Sequence, residues 1–270
     1  MPRYKLTIEY AGTRYSGWQI QQNARTVQGE LHRAVREGLR VGRADSYGSG
    51  RTDAGVHALA QVAHLDLPSA LPTDQLVDRL NRALPADINV LAAERVPARF
   101  HARHSAVARS YIYQFSRRRT AFAKPFVWWV PDPLDTARMQ RAAEAFVGFA
   151  DFRSFTDDDP SEKSTTVKVE QVRIVEADAL VLLRVVGSHF LWKMVRRLAG
   201  VLAAVGRGEL DPDRVPALLT SASDLPPTLT APASGLFLER VFYDATPADW
   251  PLEPPLFRLP WPSGGPAGRR

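Results

Sequence analysis

The sequence predicts an α+β protein built as two successive α/β subdomains, with mostly antiparallel sheets and helices packed on one face. Three observations carry this. The chain opens with period-two alternation, amphipathic helices of period 3.6 interrupt the strands, and in several places one strand follows another with no helix between them. With 270 residues, 45% of them hydrophobic, there is enough apolar material for a real core.

Tyr4, Leu6, Ile8 and Tyr10 alternate with Lys5, Thr7 and Glu9, a strand with one wet face. Thr26 caps a helix whose apolar stripe is Val27, Leu31, Ala34, Val35 and Leu39, with Gly42 as its stop. A strand is expected at 61–67, a helix at 73–83, and extended segments at 88–90 and 109–115. The second half repeats the theme with a helix over 135–146, strands at 167–176 and 179–186, and a long helix over 188–205. A short helix after Pro212 and a strand at 236–243 complete the series. The boundary is placed near Ser105, giving an N-terminal subdomain of 1–105 and a C-terminal subdomain of 106–245. Residues 246–270 contain seven prolines and end Arg269-Arg270. Such a tail suits neither helix nor central strand and is expected to be surface-draped or poorly ordered, with Trp250, Phe257 and Trp261 as anchors.

The formal charge of +6 favours a polyanionic partner, either nucleic acid or an anionic membrane surface. No apolar run approaches the ~20 residues that span a bilayer, and Met1-Pro2-Arg3-Tyr4 passes straight into a strand pattern without a signal-peptide core. A cytoplasmic protein without membrane contact is expected. Cysteine is absent, which excludes disulfides, thiolate metal sites and a cysteine nucleophile.

The run Tyr47-Gly48-Ser49-Gly50-Arg51-Thr52-Asp53-Ala54-Gly55-Val56-His57-Ala58 meets the first two positions of a dinucleotide fingerprint and fails the third, where Asp53 puts negative charge against a pyrophosphate. No phosphate-loop lysine motif occurs, so no nucleotide cofactor is expected. What remains is a tight turn presenting Arg51 and Asp53 two residues apart, on one side of an extended backbone. Taken alone, Asp53 fits a loop aspartate bonded to its own turn. His57, His101 and His104 lack the matched carboxylate pattern of a hydrolytic zinc site, and no metal is expected. In the helix over 188–205, Leu191, Met194, Val195, Leu198, Leu202 and Val205 form the apolar face. His189, Lys193, Arg196 and Gly200 form a stripe that suits a solvated basic face as well as a cleft wall.

Beyond these local readings, the string from Gly50 to Ala58 resembles the catalytic segment of the TruA-type tRNA pseudouridine synthases. The likeness continues in family order along the chain. Tyr10-Ala11-Gly12-Thr13-Arg14-Tyr15-Ser16-Gly17-Trp18-Gln19-Ile20-Gln21 with Thr26-Val27-Gln28 resembles the opening segment. Leu84-Pro85-Ala86-Asp87-Ile88, Phe100-His101-Ala102-Arg103 and Ala108-Arg109-Ser110-Tyr111-Ile112-Tyr113 resemble the middle blocks, and Phe190 to Arg196 and Ala231 to Leu238 the closing ones. Arg197 stands where many relatives carry asparagine, Trp192 and Lys193 replace commoner residues, and Lys163-Ser164-Thr165 lacks the family's preceding cysteine.

The resemblance implies a pseudouridine synthase fold with an active-site cleft between the halves, and a cofactor-free isomerisation of uridine to pseudouridine at positions 38, 39 and 40 of the tRNA anticodon stem-loop. It assigns Asp53 as the catalytic carboxylate and Tyr111 as the ring that stacks on the flipped base and takes part in proton removal. Arg196 is expected to hold Asp53 ionised. Arg51 is expected to displace the base or hold phosphate, with Lys193, Arg197 and His57 as further substrate contacts, Arg197 as a plain phosphate contact. Tyr113 reads as a core aromatic. The family also implies a homodimer in which one tRNA touches both subunits. The competing class is a non-catalytic RNA-binding module, which has no use for an Asp53 with an arginine partner.

Overall fold

The computed structural model describes residues 1–42, 45–247 and 249–261. Two compact units result: Met1–Arg109 with Phe237–Thr246, and Ser110–Leu236 with Pro247–Arg270. The chain first passes from one unit to the other between Arg109 and Ser110. The last strand and the C-terminal segment, however, each belong to the other unit from the one that their sequence neighbours suggest.

In the first unit, β1 (Arg3–Tyr10) buries Tyr4, Leu6, Ile8 and Tyr10 on one face, each such side chain contributing about 1.5–3 kcal/mol by leaving water. Helix α1 (Val27–Leu39) starts at Thr26, whose hydroxyl accepts from the Gly29 N–H at 3.2 Å. It stops at Arg40, in the left-handed region at φ 56°, ahead of the expected Gly42. Strand β2 (Asp45–Gly48) buries only Ser46 among its four residues, so no apolar alternation announces it. Next come β3 (His57–Asp66), α2 (Thr73–Ala83) and β4 (Ile88–Val96). Strand β1 pairs antiparallel with both β3 and β4, and β2 pairs antiparallel with β3. Burial in turn pushes the His64 imidazole down to about 4, with help from Arg3 and His101 against Asp66. The ring is therefore neutral and accepts the Ala102 N–H on Nδ1 at 3.1 Å.

The second unit is built on β5 (Ala108–Ser116), β6 (Trp128–Trp129), β7 (Gly148–Asp151), β8 (Thr166–Ala177) and β9 (Leu180–Gly187). Its strand order is β5-β9-β8-β7, with β6 paired parallel to β5. Helix α3 (Thr136–Ala143) is capped by the Asp135 carboxylate, which accepts from the Arg138 N–H at 2.9 Å. The helix expected over 188–205 is shorter: α4 spans Met194–Gly206, because Lys193 takes φ 61° and breaks the helical path before it. His189 and Lys193 therefore share no helix face with Arg196. The expected helix after Pro212 is a 3-10 turn, Pro212–Arg214, followed by α5 (Ala217–Thr220), and α6 (Leu225–Thr228) comes next.

Over residues 249–261 the tail packs within the second unit. Arg184 is fully buried, and its guanidinium donates to the carbonyls of Trp250 at 2.9 Å and Pro251 at 2.7 Å while lying 4.2 Å over the Trp250 ring. A buried cation must find acceptors, and prolines supply carbonyls without competing N–H groups. Leu252 and Leu259 are buried in a cluster with Ile112, Leu180 and Leu182, with Phe257 and Trp261 packed against it. The remainder of the expected tail, 262–270, lies outside the described residues. The chain ends its regular structure with β10 (Leu236–Phe242), which pairs parallel to β3 through Phe237 with His57 and Leu238 with Ala58.

Candidate active site

Residues 49–56 bridge β2 and β3 and present Asp53. Several bonds fix the loop's entry. The Ser49 N–H donates to the Val62 carbonyl at 2.7 Å, its hydroxyl donates to Gln61 Oε1 at 2.7 Å, and Gln61 Nε2 donates to the Gly50 carbonyl at 3.2 Å. Arg109 adds bonds to the carbonyls of Ser49 at 3.0 Å and Arg103 at 2.8 Å. At the centre, Thr52 is buried, and its carbonyl accepts from the Trp18 N–H at 3.1 Å. The Thr52 and Tyr10 hydroxyls share a hydrogen bond of 2.8 Å. Burial pushes the Tyr10 hydroxyl up to about 12, so it stays protonated for that contact.

At the exit, the Val56 N–H closes a turn onto the Asp53 carbonyl at 3.1 Å, with Gly55 at φ 81°, the conformation that the third residue of a type II turn requires. Gly12 packs directly on this turn. A Cβ there would lie 1.9 Å from the Val56 carbonyl oxygen. The Gly12 N–H donates to His57 Nδ1 at 3.0 Å, and the His57 ring stacks on Phe237 at 4.7 Å. The loop is thus clamped by the segment from Tyr10 to Trp18, while Arg51 is exposed and Asp53 half-buried on either side of Thr52. That alternation matches the common side expected for Arg51 and Asp53.

His57, expected as a substrate contact, is buried: one nitrogen is taken by the Gly12 backbone and one face by Phe237, so the ring helps to fasten the loop. Among the described residues no three His, Asp or Glu side chains converge as metal ligands.

The other expected residues lie in the second unit. Tyr111 on β5 meets Phe190 edge-on, ring centroids 5.1 Å apart at 84°, and Phe190 belongs to the segment that leads into α4. Every residue of α4 is buried except Arg196. The Arg196 Nε donates to the Ala231 carbonyl at 2.8 Å, and its own carbonyl accepts the Ala231 N–H at 3.1 Å, so main chain orients this guanidinium. Tyr113 is a core aromatic with its hydroxyl donating to the Pro232 carbonyl at 2.8 Å.

Arg197, expected as a plain phosphate contact, is 3% exposed and ion-paired with Asp157, which also takes the Lys193 ammonium at 2.7 Å. Burial pushes the Asp157 carboxyl up, but hydrogen bonds from Lys193 and Arg197 outweigh it and hold the group below the usual carboxylate range. The Arg197 Nε and Nη1 find no hydrogen-bond partner among the described residues, so the ion pair carries this buried cation. Arg197→Ala is therefore expected to destabilise the fold by about 1–3 kcal/mol, lowering Tm by roughly 3–10 °C. Thermal denaturation beside tRNA-binding salt titrations checks this. An unchanged Tm with a salt slope flatter by about one unit would return Arg197 to phosphate binding.

Sequence reasoning missed the supports of the loop. Tyr10, Trp18 and Arg109 lay inside motif blocks without an assigned task, whereas Gln61 gave no local signal, nor did Asp157, the partner of Arg197.

A profile described as tRNA pseudouridine synthase matches residues 6–105 and 142–244. The chain is 42% identical over 251 residues to tRNA pseudouridine synthase A of Rhodopseudomonas palustris (strain BisA53), covering 90% of this chain and 100% of that one. It is 39% identical over 245 residues to tRNA pseudouridine synthase A of Acetivibrio thermocellus, and 42% over 250 residues to that of Nitrobacter hamburgensis, again covering 90% and 100%.

The chain belongs to the tRNA pseudouridine synthase family. The synthase isomerises uridine to pseudouridine in tRNA. The matched segments contain Asp53, Arg51, His57, Lys193, Arg196 and Arg197, while Tyr111 falls between them. No helix of this synthase, among the described residues, is long and apolar enough to cross a membrane.

Proposed function

We propose that the synthase acts on uridines 38, 39 and 40 of the tRNA anticodon stem-loop, with Asp53 as its catalytic carboxylate. The observation that carries this is the loop from Gly50 to Ala58: a family-specific string whose backbone is tied down on both sides of an Asp that stays half-exposed. The reaction breaks the bond from N1 to C1′, turns the base, and forms a bond from C5 to C1′. A proton leaves C5 and one is returned to N1, so atoms balance without a redox or group-carrying cofactor.

Asp53 serves as the anion at the reacting sugar or base, and Arg196 is the cationic member of the catalytic set. Support for Arg196 comes from its place as the one residue of α4 that is not buried, with a guanidinium set by Ala231. Tyr111 stacks on the extruded uracil, returning ~1–3 kcal/mol against the cost of unstacking, and assists removal of the C5 proton. Arg51, exposed beside Asp53, displaces the base or holds its phosphate. Lys193, already bound to Asp157, contributes positive potential near the start of α4. We place the enzyme in the cytoplasm as a homodimer, one tRNA touching both subunits.

Incubation of the purified chain with an unmodified transcript carrying uridines at 38, 39 and 40, without added cofactor, is expected to yield pseudouridine at those positions. Mapping by carbodiimide-dependent primer extension reads the outcome. Product confined to other positions would overturn the site assignment, and absence of product the activity.

A further inference from the structure

The loop that follows β5 lies outside both segments matched by the family profile. Its composition is one-sided. Between Ser110 and Pro131 stand Arg117, Arg118, Arg119 and Lys124 with no acidic residue. Glu176 answers Arg117 at 2.8 Å, but Arg118, Arg119 and Lys124 carry no acidic partner among the described residues. Phe122 stands 97% exposed at the tip. A lone exposed leucine needs no explanation, whereas a full aromatic ring in water beside unanswered cations does.

Next to Phe122 lies a groove of about 460 Å³, lined by Arg118, Arg119, Thr120, Phe122, Phe257 and Leu259, a size ordinary for a small-ligand site. Its floor is apolar: Leu259 is buried, and Phe257 is held edge-on by Phe126 at 6.5 Å. Its rim is cationic and partly preset. The Arg118 Nε donates to the Pro260 carbonyl at 3.0 Å, and the Arg119 guanidinium lies 5.8 Å from the ring of Trp129, itself 42% exposed.

We propose that this groove is a second RNA-binding site of the synthase, holding one unpaired nucleotide of tRNA other than the uridine being isomerised. The base packs against Phe122 and Phe257, and the adjoining phosphates take Arg118 and Arg119. This rests on tRNA being the substrate. An apolar floor inside a cationic rim matches a nucleotide, which joins an aromatic base to an anionic backbone. Duplex RNA keeps its base faces stacked away, so the occupant is a nucleotide from a loop or an end. A second copy of the chain suits the groove less well, since a two-fold contact centred on it would bring the Arg118 and Arg119 of both copies onto one patch.

The test measures tRNA dissociation constants and their salt dependence for wild type, Phe122→Ala, Phe122→Tyr and Arg118→Gln with Arg119→Gln. At 97% exposure, position 122 tolerates substitution without threat to folding. Phe122→Ala is expected to weaken binding about tenfold and Phe122→Tyr to restore it. The double variant is expected to flatten the slope of log K against log salt by about one to two units. Wild-type affinity in Phe122→Ala overturns the proposal, as does a fall from dimer to monomer in sedimentation with RNA affinity intact, which would give the groove to a second copy. Loss of binding only to phosphatidylglycerol vesicles would give it to a membrane surface and overturn it equally. If wild type itself neither binds nor isomerises tRNA, the substrate reading fails first and the groove proposal with it.

Discussion

Asp53→Asn is expected to abolish pseudouridine formation, lowering the single-turnover rate by at least about 10³-fold while tRNA affinity changes by less than about tenfold. The amide is nearly isosteric with the carboxylate but carries no charge and makes a poor nucleophile. The bonds through Thr52, Ser49, Gly50 and the Asp53 carbonyl are all present in the variant. Rapid-quench assays at saturating tRNA separate chemistry from binding. Substantial remaining turnover would remove Asp53 from the mechanism.

The second large effect is expected at Gly12, more than forty positions from Asp53 in sequence. A methyl group there would sit 1.9 Å from the Val56 carbonyl oxygen, and that atom is main chain of the turn that Asp53 opens. No rotamer change relieves such a clash, so either the segment at Gly12 or the turn must move. Overpacking costs about 1–3 kcal/mol, which lowers Tm by roughly 3–10 °C. A shift of about an ångström at the reacting group adds a rate loss of about 10²-fold. Gly42→Ala serves as control, since nothing among the described residues lies within 4 Å of a Cβ at that position. A Gly12→Ala enzyme with wild-type rate and melting temperature would show that the clamp does not position the loop.

Much of this architecture is legible in the sequence, for identifiable reasons. The alternation of Tyr4, Leu6, Ile8 and Tyr10 and the cap at Thr26 are local signals, and the structure follows them. The string around Asp53 is specific enough to name the family. What escaped depends on distant partners. Lys193 adopts a left-handed backbone that only glycine announces in a sequence, so the apolar run of Phe190, Leu191 and Trp192 read as a helix start when it is a lead-in. Arg197 reads as a plain phosphate contact; its burial beside Asp157, forty positions earlier, leaves no local sign. The proline-rich segment reads as surface-draped or poorly ordered, and the carbonyls that Trp250 and Pro251 give to Arg184 leave no sign, since no window around residue 250 contains that arginine.

The strand β10 also governs the order in which the enzyme can be made. Phe237 and Leu238 pair with His57 and Ala58, just beyond the turn that carries Asp53, yet the ribosome reaches them only after the whole of Ser110–Leu236 has been synthesised. At ~5–20 residues per second that is a wait on the order of ten seconds. During it, the first unit exists as a nascent fold with β3 lacking one neighbour and His57 lacking its stacking ring. The synthase therefore completes the frame of the loop that carries Asp53 only after Ser110–Leu236 has been made, and a chain terminated before Phe237 is left without it.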